Sequence, residues 1–125
     1  MNKKIALLFL MLCYTTLMLF GDPAMCRDYS NKPGGGLTVQ VIQKGDGVQE
    51  IIIRSNSKSK IRIQSFDIDS HSNKLEYING NPSFTQPTIK GFGQYKVTVK
   101  CISYWNGSSY ELTSNDVAVT ATVCE

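Results

Sequence analysis

At 125 residues the chain has room for one domain. Thirteen Lys and Arg against ten Asp and Glu leave a formal charge of only +3, which gives no electrostatic footprint for nucleic acid binding. A mature domain of about 100 residues can bury a modest core, to which one disulfide would add about 2–4 kcal/mol.

The first segment reads as an export signal. Asn2, Lys3 and Lys4 precede the apolar run IALLFLMLCYTTLMLF from Ile5 to Phe20, followed by small residues near Gly21 and Ala24. A basic head and a 16-residue apolar run fit a secretory signal better than a membrane span, which needs roughly 20 residues. Neither LML before Cys13 nor PAM before Cys26 is a lipoprotein signal. The expected cut falls between residues 21 and 25, leaving a chain exported to an extracellular or periplasmic space, with no membrane span. Cutting after Ala24 removes Lys3, Lys4 and Asp22 and leaves 11 basic against 9 acidic residues.

Cys13 leaves with that signal, so Cys26, Cys101 and Cys124 remain. An odd number in an oxidising space predicts one bridge and one spare thiol, through which a covalent dimer could form. Cys26–Cys124 and Cys101–Cys124 are both open on sequence grounds.

The stretch 25–36 has no apolar periodicity and ends in Pro and three Gly, so a flexible N-terminal arm is predicted there. From residue 37 the pattern is that of strands. LTVQVIQ (37–43) alternates, KGDG (44–47) is a tight loop, and VQEIIIR (48–54) carries an Ile51-Ile52-Ile53 run that predicts cover on both faces. After SNSKSK, the segment 60–69 has Ile61 and Ile63 in one register and Phe66 and Ile68 one step out, the mark of a β-bulge between them. KLEYI (74–78) is a short strand, and Pro82 and Pro87 make 84–93 an edge or corner. Tyr95, Val97, Val99 and Cys101 share a face, NGSS (106–109) signals a hairpin into Tyr110 and Leu112, and Val117 to Val123 closes the sheet. No helical periodicity follows residue 21. The expected fold is all-β: a single antiparallel immunoglobulin-like β-sandwich of about seven strands over residues 37–125.

Several short motifs carry a resemblance. Ser55-Asn56-Ser57, Ile61 with Ile63, the corner Ile89 to Gly93, and Ser114-Asn115-Asp116 before a V-x-V strand occur in that order. Together they resemble a broad immunoglobulin-like group, the major-sperm-protein/PapD-like and choice-of-anchor D (ASH-type) modules. The corner departs from the group's pattern by having Lys90-Gly91-Phe92 where Pro-Gly is usual. The motifs are turn chemistry. The resemblance implies the fold and a non-enzymatic role as a binding module or spacer.

Four places carry candidate chemistry. In an extended strand Asp67, Asp69 and His71 would share one face and could hold a divalent cation, although alternation alone also makes that face the solvent side. Tyr104 and Tyr110 flank a turn where aromatics can stack on a sugar or form a protein-binding hot spot; the parity of Trp105 with Val97, Val99 and Cys101 predicts that it points into the core. Asn106-Gly107-Ser108 is a glycosylation acceptor if the source is eukaryotic. Arg54, Lys58, Lys60 and Arg62 flank a turn with no interleaved aromatic, which predicts a solvated hairpin. No G-x-S-x-G elbow surrounds a serine and no cofactor motif is present in the sequence. The expected function is therefore a small exported, non-enzymatic module that binds an unidentified protein or acts at a cell surface, with carbohydrate binding near residues 104–110 as the alternative.

Overall fold

The computed structural model describes residues 25–124. The expected signal segment lies outside the described residues. Two four-stranded antiparallel sheets face each other, in the orders β1-β8-β4-β6 and β2-β3-β7-β5. The strands are β1 (Cys26–Ser30), β2 (Leu37–Gly45), β3 (Val48–Ser55), β4 (Ile61–Ile68), β5 (Lys74–Tyr77), β6 (Thr88–Ile89), β7 (Gln94–Ile102) and β8 (Val117–Cys124). A single helical turn, α1 (Pro82–Thr85), and a 3-10 turn (Ser114–Asp116) interrupt them. The all-β sandwich class follows, with an arrangement compatible with immunoglobulin-like domains.

Only β2 and β3 pair as sequence neighbours, because Asp46 and Gly47 both take positive φ (55° and 80°), the geometry of a tight primed hairpin turn. Gly47 is required there twice over: a Cβ would meet the Cys101 carbonyl at 2.8 Å, and that close approach lets the Cys101 N–H donate to the Gly47 carbonyl at 3.0 Å. Each other pair joins strands distant in sequence, so the core forms only when both halves of the chain have met.

The core follows the alternation. Ile51 and Ile53 of β3, Ile61 and Ile63 of β4, and Val97 and Val99 of β7 are all buried. The register of β4 on β8 shifts between Ile63 and Ser65, so Phe66 and Ile68 return to the same face as Ile61 and Ile63, as the phase slip in the sequence predicts. Ile52 is buried on the opposite face, in register between Gln40 and Lys96. There Arg54 reaches Gln40 (2.7 Å) and Lys96 reaches Glu50 (3.9 Å), so aliphatic stems lie across it.

The start of the domain departs from expectation. Residues 26–30 are an edge strand, β1, in register with β8 from Cys26↔Cys124 to Ser30↔Thr120. The apolar pattern was silent because little of β1 is core. Tyr29 packs against the buried cluster, and the side chain of Asn31 prolongs the ladder by donating to the Val117 carbonyl (2.6 Å) and accepting from the Val119 N–H (3.0 Å). This raises the strand count to eight.

The bridge is Cys26–Cys124, with Cα atoms 4.1 Å apart and a sequence separation of 98. That excludes the Cys101–Cys124 alternative. Cys101 is a free thiol but fully buried, so it offers no route to a covalent dimer of the folded chain. Among the described residues, no helix is long and apolar enough to cross a membrane.

The corner before β7 contains α1, whose N-cap Asn81 accepts from the Ser83 N–H at 2.9 Å and whose first residue is Pro82. One turn is too short to show helical periodicity.

Candidate functional site

β7 ends at Ile102 and the chain then forms a loop, 103–113, rather than the second arm of a hairpin. Only an isolated bridge, Ile102↔Ser109, survives of the expected pairing. Local side chains compete with the ladder. Ser103 Oγ accepts from the Trp105 N–H (3.2 Å), Asn106 Oδ1 accepts from both the Ser108 N–H (3.0 Å) and its hydroxyl (2.7 Å), and Gly107 turns at φ 70°.

This geometry reverses the expectation for Trp105. Strand parity stops at Ile102, and Trp105 is 97% exposed, with Tyr104 beside it at 70%. Tyr110, grouped with Tyr104 on sequence grounds, is instead half-buried at the loop base, its ring 5.6 Å from that of His71. Asn106, next to Trp105 at the tip, is exposed as well.

The base is organised by a residue that is not among the sequence-based candidates. Gln49, on β3, is completely buried. Its Nε2 donates to the Tyr110 carbonyl (2.8 Å) and to the Gly47 carbonyl (3.2 Å), while its Oε1 accepts from the Leu112 N–H (2.7 Å) and from Gln43 Nε2 (2.9 Å). One amide side chain thus supplies the donor and acceptor that a neighbouring strand would have offered to residues 110–112. Leu112 is buried as the alternation predicts, without belonging to a strand. The signal available was a glutamine at an otherwise apolar-facing place in VQEIII.

The predicted face of Asp67, Asp69 and His71 does not form. β4 stops at Ile68, and His71 and Ser72 turn with φ of 50° and 65°, which ends the extended spacing the face required. His71 Nε2 lies 2.6 Å from Asp116 Oδ1 and 3.8 Å from Asp69 Oδ2, and the backbone N–H of His71 donates to Asp69 Oδ1 (2.9 Å). The second oxygen of Asp116 accepts from the Thr113 N–H (2.9 Å), a reciprocal cap on the 3-10 turn. Among the described residues, no group of three His, Cys, Asp or Glu side chains could hold a metal ion.

These contacts lock the 69–73 turn, the 3-10 turn and the loop base together. The Asp116 hydrogen bond raises the His71 pKa above 6.5, assisted by the charges of Asp69 and Asp116 and opposed by desolvation. For Asp116, burial pushes the pKa up from 3.8, but hydrogen bonds from Thr113 and His71 outweigh it and the net shift is downward. The linkage has opposite signs at its two ends. The His71 contribution is complete below its unfolded value and disappears as pH rises through the raised folded value; that of Asp116 is present above its unfolded value and disappears as pH falls through the lowered one. Stability from this pair therefore peaks between 3.8 and 6.5, and a His71→Gln variant should flatten the upper limb. Thermal midpoints for both chains, taken from below 3.8 to above 6.5, provide the check; a difference between the chains that stays constant over that whole span would remove the pair from the account.

The tip is thus a rigid-based loop with two neighbouring exposed rings and no charged residue from Ser103 to Tyr110. Exposed aromatics of this kind present large apolar faces with few rotatable bonds, suited to stacking or to filling a partner's pocket. No protein-family model matches the chain, and neither does any curated protein or solved structure.

Proposed function

We propose that the chain is a small exported, non-enzymatic binding module that engages a protein partner through the loop tip at Tyr104, Trp105 and Asn106. The observation that carries this reading is Trp105: the chain's single tryptophan is 97% exposed on a loop whose base is tied to β3 by a buried amide. Leaving that ring in water forgoes the burial it would gain in a core, and a partner's pocket would recover it. The Cys26–Cys124 bridge supports an oxidising compartment, in keeping with the basic-apolar leader. The resemblance of the turn motifs to major-sperm-protein/PapD-like and ASH-type modules supports the same class of role.

A glycan is the second reading, favoured by the adjacency of the Tyr104 and Trp105 rings, which suits stacking on a pyranose. In a eukaryotic secretory pathway a glycan attached at the exposed Asn106 would itself shield the tip.

A Tyr104→Ala/Trp105→Ala chain should retain the wild-type melting curve and lose at least about 30-fold in affinity, the scale of a truncated hot spot. The comparison is made with labelled protein against native extracellular protein fractions and, separately, a glycan array. Because the tip is uncharged, binding should change little with salt. Equal binding by wild type and double variant on both supports would dismiss the tip as the site.

A further inference from the structure

At the other end of β7 the sequence places charge without counter-charge. Residues 51–66 contain Arg54, Lys58, Lys60 and Arg62 and no Asp or Glu; residues 79–95 contain Lys90 and again no Asp or Glu. The fold brings the two stretches together. The Phe92 N–H donates to the Ser57 carbonyl (2.9 Å), the Ser55 N–H donates to the Gly93 carbonyl (3.0 Å), and any side chain at Gly91 would strike the Lys58 carbonyl. Lys58, Lys60, Arg62 and Lys90 are all exposed, and none has a carboxylate partner among the described residues.

The aromatic missing from the basic stretch in sequence is supplied in space. Phe92 sits at φ 57°, a left-handed conformation that a bulky side chain rarely adopts, and its ring is 70% exposed. The hydrogen bonds on either side hold that turn, so the ring is presented to solvent by a fixed backbone. A second exposed apolar residue, Met25 at 70%, begins the described chain on the same side. Cys26 pairs with Cys124 at the end of β8, where Thr122 of β8 pairs with Arg62, and Lys60, Arg62, Thr122 and Cys124 line one depression.

We propose that this end of the sandwich docks on an anionic lipid membrane, with Lys58, Lys60, Arg62 and Lys90 meeting phosphate headgroups and Phe92 entering the interface. Charge complementarity selects an anionic surface. The ring selects a membrane over a soluble polyanion, because a polyanion gains nothing from a phenyl group held outward between glycines. The nine residues of β7 span roughly 30 Å. Phe92 and Trp105 lie off its opposite ends, so docking here would leave the aromatic tip pointing away from the lipid.

Cosedimentation of the purified exported chain with vesicles tests this. Vesicles of phosphatidylcholine with about a third phosphatidylglycerol should bind it at low salt, and phosphatidylcholine alone should not. Binding should weaken steeply as ionic strength rises from about 0.05 to about 0.5 M. Substituting Lys58, Lys60 and Lys90 by alanine should weaken binding about fivefold per lysine. Phe92→Ala and Phe92→Gly should each weaken it several-fold; the glycine variant suits the positive φ, so a matched loss in both assigns the effect to the ring. In a Trp105→Phe background, Phe92→Trp should show a blue-shifted emission on anionic vesicles, whereas Trp105 of the wild type should not shift. Equal binding to both lipids, loss in the lysine variants but none in the Phe92 variants, or retention on heparin without vesicle binding would overturn the proposal.

Discussion

Replacing Cys26 and Cys124 by serine should lower the unfolding free energy by about 2–5 kcal/mol, the usual range for a native bridge. The position of the bridge argues for the upper part of that range. With a sequence separation of 98, it closes almost the whole described domain into one loop, and in the chain-entropy account a loop of about 100 residues restricts the unfolded ensemble by about 4.7 kcal/mol. Locally the bridge also holds β1, an edge strand that pairs on one side only and adds little core beyond Tyr29. For a domain of this size each kcal/mol moves the thermal midpoint by about 4–8 °C. Melting the double-serine chain against wild type should therefore show a drop of roughly 16–40 °C. Hydrogen exchange should place the first loss of protection in β1, with β4 retained. A midpoint within about 3 °C of wild type would mean that the bridge contributes little to the folded chain in solution.

The fold was legible where burial imposes a period. Ile61, Ile63, Phe66 and Ile68 revealed both a strand and its bulge, because a one-residue slip in a two-residue period moves side chains to the wrong face unless an extra residue corrects it. β1 was illegible for the complementary reason: it is held by backbone pairing, by Asn31 acting as an extra rung and by a covalent bond, none of which leaves an apolar alternation. The choice between the two candidate bridges likewise depended on register, since Cys26 faces Cys124 only once β1 is known to be a strand.

At the candidate site, the loop was found and its interior was inverted. The dipeptide Asn106-Gly107 marked a turn correctly, but parity carried past Ile102 sent Trp105 inward, when Ser103 and Asn106 side chains had already replaced the strand ladder by local turns. His71 was assigned to a strand face that its left-handed backbone leaves. Its actual partner, Asp116, is 45 residues away and in sequence shows only as part of a turn motif. Contacts across such distances have no period to betray them.

Gln49→Leu should be the most damaging single substitution at the base of the tip, lowering stability by about 2–5 kcal/mol. The side chains are close in volume, so the effect does not arise from a cavity. Leucine would strand the Tyr110 carbonyl and the Leu112 N–H, both satisfied by the Gln49 amide in a completely buried position. Each orphaned group costs about 1–3 kcal/mol. Relief is available by letting residues 110–112 move out to water, but that would also expose Leu112. Either route loosens the segment that carries Tyr104 and Trp105. Urea titration measures the first consequence, and fluorescence anisotropy decay of Trp105 measures the second, since an exposed indole reports mobility even where its emission wavelength cannot change. Gln43→Ala, which removes one donor to Gln49 from an exposed residue, should cost well under about 1 kcal/mol and leave the anisotropy decay unchanged. A Gln49→Leu chain within about 0.5 kcal/mol of wild type, with the Trp105 decay unaltered, would show that the loop holds its shape without the buried amide.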